Sequence, residues 1–122
     1  MPLRPLFFAV PALVCLLSMP AWGEEVLGTD AQLTYEGDVR PILKAHCFVC
    51  HGDGEELKAG LDLRLRRLIV EGGESGPALK PGEPDESLIY ERIVCEEMPP
   101  GDDKLTEKEL AILERGITAG AP

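Results

Sequence analysis

Apolar positions fall into five groups along the chain, and their spacing differs from one to the next. Leu6 to Met19 forms an apolar run interrupted by Pro11. Residues 24–33 are acidic and show no period, as a flexible leader would. Tyr35, Val39, Ile42 and Leu43 then recur at helical spacing and predict a helix running into Cys47. Asp38 is the expected cap, with Pro41 placed in the first turn, where its missing N–H costs nothing. Gly52-Asp53-Gly54 closes the helix. Gly60 to Leu65 alternates apolar and polar residues and predicts a short extended segment, followed by a helical turn over Arg66 to Val70. Gly72 to Pro77 and Pro81 to Pro84 are turns by composition.

A second helix is predicted from Asp85 or Glu86, with Leu88, Ile89 and Ile93 on one side. It must end before Pro99, because a residue preceding proline is pushed out of the helical region. The last helix carries a full start signal. Thr106 is the N-cap and Glu109 completes a capping box, while Leu105 and Leu110 form a hydrophobic staple. Leu110, Ile112, Leu113 and Ile117 supply its buried stripe; Gly116 weakens it by about 1 kcal/mol relative to alanine, and Gly120 ends it. The expected fold is all-α, three main helices around one irregular middle.

The first apolar run reads differently from the rest. Arg4 precedes it, Pro20 ends it, and Ala21-Trp22-Gly23 presents small residues where a signal peptidase reads. A span needs about 20 apolar residues, and this run is shorter. Residues 1–23 are therefore expected to be a cleaved signal peptide, 24–33 a leader, and 34–122 the domain. This places the protein outside the cytoplasm, in a periplasm or its equivalent. Membrane attachment would come only through an uncleaved signal or a partner.

Cleavage changes the composition that matters. Removing 23 of 122 residues leaves 99, with 11 basic side chains (12 less Arg4) against 22 acidic ones. Tyr35, Phe48 and Tyr90 are the remaining aromatics, Met98 the remaining methionine, and Cys47, Cys50 and Cys95 the remaining cysteines. So small a domain with so little bulky material usually needs help from a metal, a disulfide or a cofactor. The acidic balance argues against nucleic acid and anionic membranes, and favours a basic partner.

Cys47-Phe48-Val49-Cys50-His51 is C-x-x-C-H, the haem-attachment signal. Two thiols at this spacing can each add to one vinyl group of a haem, and the next side chain then reaches the iron from the same side. Competing readings are a Cys₃His zinc site from Cys47, Cys50, His51 and Cys95, and a thiol redox pair. No βαβ pattern surrounds the motif, which disfavours a thioredoxin-like pair. The second axial ligand is expected to be Met98, since histidine with methionine is a common set in cytochromes c. Pro99-Pro100 keeps that segment extended, so a loop would present the thioether. The alternative is a methionine filling a gap in the core.

An ordered set of motifs resembles the planctomycete-type cytochrome c domain, a branch of the class I cytochromes c. It comprises Asp38 to Leu43 before the haem motif, Ala59 to Leu63, Gly73 to Ala78, Pro81 to Pro84 with Ser87-Leu88, Met98-Pro99-Pro100, Leu105-Thr106 and Gly120-Ala121. It spans roughly residues 34–122. The resemblance implies a small all-α fold around one covalently bound haem c, with His51 and Met98 as axial ligands. Relatives often carry a tryptophan in the last helix where this chain has Gly116-Ile117, which implies looser packing there.

Other residues carry weaker expectations. Cys95 reads as a buried free thiol, an intermolecular disulfide partner or a thiolate competing with Met98; His46 reads as exposed. Arg64, Arg66 and Arg67 are candidates for pairing with a haem propionate, and Glu96-Glu97 with Asp102-Asp103 for docking a basic redox partner. The functional expectation is electron transfer by an exported mono-haem cytochrome, not an enzyme. The alternative is a haem-binding sensor or a docking subunit of a larger exported complex.

Overall fold

The computed structural model describes residues 32–122, so the expected signal peptide and most of the leader lie outside the described residues. Among these residues the secondary structure is helical, with no strand. A π-type turn, Tyr35–Val39, runs directly into α1 (Arg40–His46), and α2 (Phe48–His51) follows after one residue. The other α-helices are α3 (Arg66–Glu71), α4 (Leu88–Val94) and α5 (Glu107–Thr118), with short 3-10 turns at Lys58–Gly60 and Pro84–Glu86. The three expected main helices are thus α1 with α2, α4 and α5, and α3 is the expected helical turn.

The first helical segment starts earlier than its sequence suggests. Thr34, not Asp38, is the cap: its hydroxyl accepts from the Gly37 N–H at 3.1 Å, and the Asp38 carboxylate reaches back to the Thr34 N–H at 2.8 Å. The reason is Tyr35, which is buried and must already lie on the helical turn to reach the core. Its hydroxyl donates to the Leu63 carbonyl at 2.5 Å, and burial is the main cause that pushes its pKa up to about 12.

The expected extended segment after Gly60 pairs with nothing as a strand. Asp62 and Leu63 are both buried, so the alternation of faces fails at Asp62. That carboxylate is satisfied locally. It accepts from the Arg64 N–H at 2.9 Å and from the Arg64 guanidinium at 2.7 Å. Arg64 is therefore committed, and its hydrogen bonds hold the Asp62 pKa below the ordinary carboxylate value.

One core joins Tyr35, Val39, Leu43 and Phe48 to Ile69, Ile93, Leu113 and Ile117. The capping box of α5 is present as predicted, with Thr106 and Glu109 bonded reciprocally. Beyond Thr118 the Gly120 N–H bonds to the Ile117 carbonyl and the Ala121 N–H to the Gly116 carbonyl, both at 2.8 Å. This is a Schellman ending, and Gly120 takes the left-handed φ of 91° that it requires. Arg66 donates to the Gly120 carbonyl at 3.0 Å and to that of Ala121, locking this ending onto α3.

The expectation of looser packing at Gly116-Ile117 fails, because both residues are buried. A Cβ on Gly116 would lie 2.7 Å from Val39 Cγ2, so the glycine lets α5 approach the opening turn. Alanine would gain about 1 kcal/mol of helix propensity but overpack the contact at about 1–3 kcal/mol. Gly116→Ala is thus expected to lower stability by about 1 kcal/mol, seen as a lower urea midpoint at unchanged slope. A midpoint raised by the substitution would contradict the close contact.

The turn Pro81 to Pro84 is held by Ser87, which is buried. Its hydroxyl accepts from the Lys80 N–H at 2.9 Å and donates to the Glu83 carbonyl at 2.8 Å. The Gly82 N–H in turn bonds to the Ile117 carbonyl at 2.8 Å, fixing the turn to α5.

Acid sensitivity follows from two carboxylates. Asp62 is lowered chiefly by its Arg64 hydrogen bond, and Glu109 chiefly by the Thr106 backbone N–H, then the Thr106 hydroxyl and His46. A carboxylate lowered in the fold contributes its stability in full above the unfolded-state value of about 4. That contribution is lost as pH falls through the lowered folded value. The urea midpoint is therefore expected to hold from neutral pH to about 5 and to fall below about 4. Asp62→Asn should flatten part of that fall; an unchanged acid slope in Asp62→Asn would remove Asp62 from the account.

Candidate haem-attachment site

The junction between α1 and α2 builds the first wall of the site. The Cys47 N–H still bonds to the Leu43 carbonyl at 2.8 Å, but its dihedrals (φ −125°, ψ −28°) bend the helix there. The Cys47 carbonyl then accepts from the Cys50 N–H at 3.2 Å and the His51 N–H at 2.9 Å. Both cysteines and the histidine thus lie within one helical turn. Phe48 between them is buried in the core beneath Arg40, whose guanidinium carbon sits 5.8 Å from the ring centroid. Val49 is left in solvent at 78% exposure. The two central residues of the motif therefore play different parts, since Phe48 anchors the turn and Val49 is free.

Cys47, Cys50 and His51 line one cavity of about 440 Å³. Leu61, Leu63, Ala78, Leu88, Ile89 and Ile93 make its apolar walls, and Met98 with Pro99 and Pro100 borders it. The four residues singled out from sequence as ligands or attachment points are thus brought to a single space by different elements.

His51 is held in two ways that its sequence does not reveal. Its Nδ1 lies 3.3 Å from the Leu61 carbonyl, and its own carbonyl accepts from the Leu63 N–H at 2.8 Å. A carbonyl can only accept, so Nδ1 carries the proton and Nε2 keeps its lone pair for a metal. The segment Ala59 to Leu63 therefore positions the histidine through backbone atoms, which no residue type announces. Behind it, the Glu74 N–H bonds to the Ala59 carbonyl at 2.8 Å. A Cβ on Gly73 would meet that same oxygen at 2.4 Å, which explains the glycine in the turn.

Met98 follows α4 on a loop whose backbone bonds run back to the end of that helix. The Met98 N–H donates to the Arg92 carbonyl and the Glu96 N–H to that of Ile93, both at 3.0 Å. Pro99 is buried, whereas Met98 is 41% exposed. A methionine filling a core gap would be covered on all sides; this one borders the cavity and also reaches its mouth.

Three expectations differ from what the structure shows, for Cys95, for His46 and for the three arginines. Cys95 is exposed, not buried, because α4 ends at Val94 and the thiol falls on the outer side of the turn. It is not among the residues of the cavity wall, and among the described residues no three His, Cys, Asp or Glu side chains are grouped closely enough to hold a metal ion, so the Cys₃His arrangement does not form. His46 is largely buried rather than exposed. Its Nε2 lies 3.1 Å from the Glu109 carboxylate, and its Nδ1 lies 3.5 Å from that of Asp103. None of Arg64, Arg66 and Arg67 borders the cavity; Lys58 and Arg92 do, and Arg92 also pairs with Glu97. The Cys47 thiol is pushed up to about 11, first by burial and then by Cys50. A redox-active thiol needs the opposite shift, which disfavours disulfide exchange by Cys47.

The donor set fits a haem. Two neighbouring thiols, an imidazole with its lone pair free and a thioether share one apolar cavity, in an all-α frame that supplies few bulky core residues of its own. This is the layout of a c-type cytochrome domain. Residues 47–102 match the family described as Planctomycete cytochrome C, from the first cysteine of the motif to just beyond Met98-Pro99-Pro100. That match supports a planctomycete-type cytochrome c domain over those residues, and such a domain implies haem c. No curated protein and no solved structure shows significant similarity to the chain. The match leaves out α1 and α5, yet both pack on the same core as the matched segment.

Proposed function

We propose that the protein is an exported mono-haem cytochrome that transfers single electrons and does not catalyse a reaction of its own. Cys47 and Cys50 would hold the haem covalently in a class I cytochrome c-like wrapping, with His51 and Met98 as axial ligands. The haem, when bound, supplies one-electron exchange between ferric and ferrous iron. Protein residues set its conditions. The Leu61 carbonyl orients His51, while the apolar walls would exclude water from a bound haem and the Met98 loop would cover its other face. One observation carries this reading: Met98 borders the same cavity as the C-x-x-C-H turn, although distant from it in sequence. With both axial positions taken, no open site remains for a substrate.

Glu96, Glu97, Asp102 and Asp103 lie exposed on either side of Met98-Pro99-Pro100, which borders the cavity. This favours a redox partner with a basic docking surface and weak, salt-sensitive contact. Export rests on the signal peptide read from residues 1–23; no described helix is long and apolar enough to cross a membrane.

The test is the absorption spectrum of the purified mature protein, oxidised and then reduced, after acid–acetone extraction. Haem that stays with the chain and cycles reversibly between ferric and ferrous low-spin spectra is expected. A colourless protein, or haem that extracts freely, would overturn the reading.

A further inference from the structure

The loop that carries Met98 has an unusual tether. Lys104 is half-buried, and among the described residues no carboxylate lies within ion-pairing distance of it, in a protein with a large excess of acidic side chains. Its ammonium instead donates to two backbone carbonyls, that of Glu96 at 2.7 Å and that of Pro99. These carbonyls stand on either side of Met98. A lysine ammonium has three donors and no acceptor, so it can bridge two such oxygens at once. Hydrogen bonds from a charged donor are roughly twice as strong as neutral ones.

The lysine itself is fixed from behind. Its N–H bonds to the Asp102 carbonyl at 2.9 Å, the next residue, Leu105, is buried, and Thr106 caps α5. The loop, by contrast, has reasons to move. Glu96 takes a left-handed φ of 58°, which a residue with a side chain adopts at some cost, and Met98 is partly in solvent. Apart from Lys104, the bonds that hold the stretch from Glu96 to Pro100 run back to the end of α4.

We infer that Lys104 is a positioning residue for Met98: its ammonium clamps the loop between α4 and the start of α5, so that the thioether stays on the cavity. This rests on the reading of Met98 as the second axial ligand. It adds that the strength of this ligation is set from outside the ligand loop, by one side chain that touches neither the sulfur nor the iron.

The experiment uses the haem-loaded mature protein in five forms: wild type, Met98→Ala, Lys104→Leu, Lys104→Gln and Lys104→Arg. The readouts are the ferric methionine–iron charge-transfer absorbance, the Kd for imidazole added to the ferric protein, and the urea midpoint. Imidazole competes with the thioether for iron, so its apparent affinity reports how firmly the loop is held. Lys104→Leu is expected to weaken the charge-transfer band and bind imidazole about tenfold more tightly than wild type. Lys104→Arg, which keeps charge and donors, should restore most of the wild-type values, and Lys104→Gln should fall between. If Lys104→Leu does not accumulate, Lys104→Gln against Lys104→Arg gives the same comparison. Wild-type imidazole affinity and band in Lys104→Leu would overturn the clamp, as would a lowered urea midpoint with both unchanged, since that is a purely structural role. A wild-type protein with no Met98-dependent band would overturn the ligand reading itself, and the clamp with it.

Discussion

Met98→Ala is expected to keep its haem through acid–acetone extraction, lose the ferric methionine–iron band, and show a reduction potential lower by on the order of 0.1 V. The first part follows because Cys47 and Cys50, not Met98, would make the covalent link. The second and third follow because a thioether is a soft ligand that favours ferrous iron, and axial ligands move haem potentials over a range of about 0.8 V. Position sharpens the expectation. Met98 is 41% exposed at the cavity mouth, so its removal admits water to the iron rather than leaving a sealed void. The ferric variant should therefore bind imidazole readily and turn over peroxide slowly, which the wild type should not. A potential equal to wild type would mean that Met98 is not the ligand, leaving its place beside the prolines to be explained by packing alone. Redox titration of the two proteins side by side decides it.

The chemistry was more legible in the sequence than the supports around it. C-x-x-C-H, a methionine before two prolines, and the α5 capping box are each short, local patterns whose meaning does not depend on distant contacts. What could not be read is made of backbone atoms or of long-range fit. The Leu61 carbonyl orients His51, yet any residue type at that position offers the same oxygen. Gly116 reads as a weak helix position, and only its 2.7 Å approach to Val39 shows that a side chain there has no room. His46 sits beside Cys47 in a polar-looking stretch and reads as exposed until the Glu109 carboxylate is brought against it from α5. Asp62 departs in the same sense. Alternation assigned it to solvent, but an arginine two residues on satisfies the carboxylate and lets it be buried. Periodicity cannot see such a local pairing.

The double substitution Cys47→Ala/Cys50→Ala should have a larger effect still, because it tests whether the haem is part of the core. Leu61, Leu63, Ala78, Leu88, Ile89 and Ile93 face a cavity of about 440 Å³ instead of one another. A dry void of that size would cost on the order of 10 kcal/mol at about 24 cal/mol per Å³. That is comparable to the whole stability of a small domain, about 5–15 kcal/mol. The open mouth reduces the figure, since water enters there, but apolar walls gain nothing from wetting. Without the covalent link the chain is therefore expected to lose haem on acid–acetone extraction, then to keep much of its helical circular dichroism while losing cooperative unfolding and binding a hydrophobic dye. The capped α5 and the Ser87 turn should survive longest, being satisfied without the cavity. A haem-free variant that still unfolds in one sharp transition, near the midpoint of the loaded protein, would show that the helices close on themselves and that the cavity is a binding site added to a complete core.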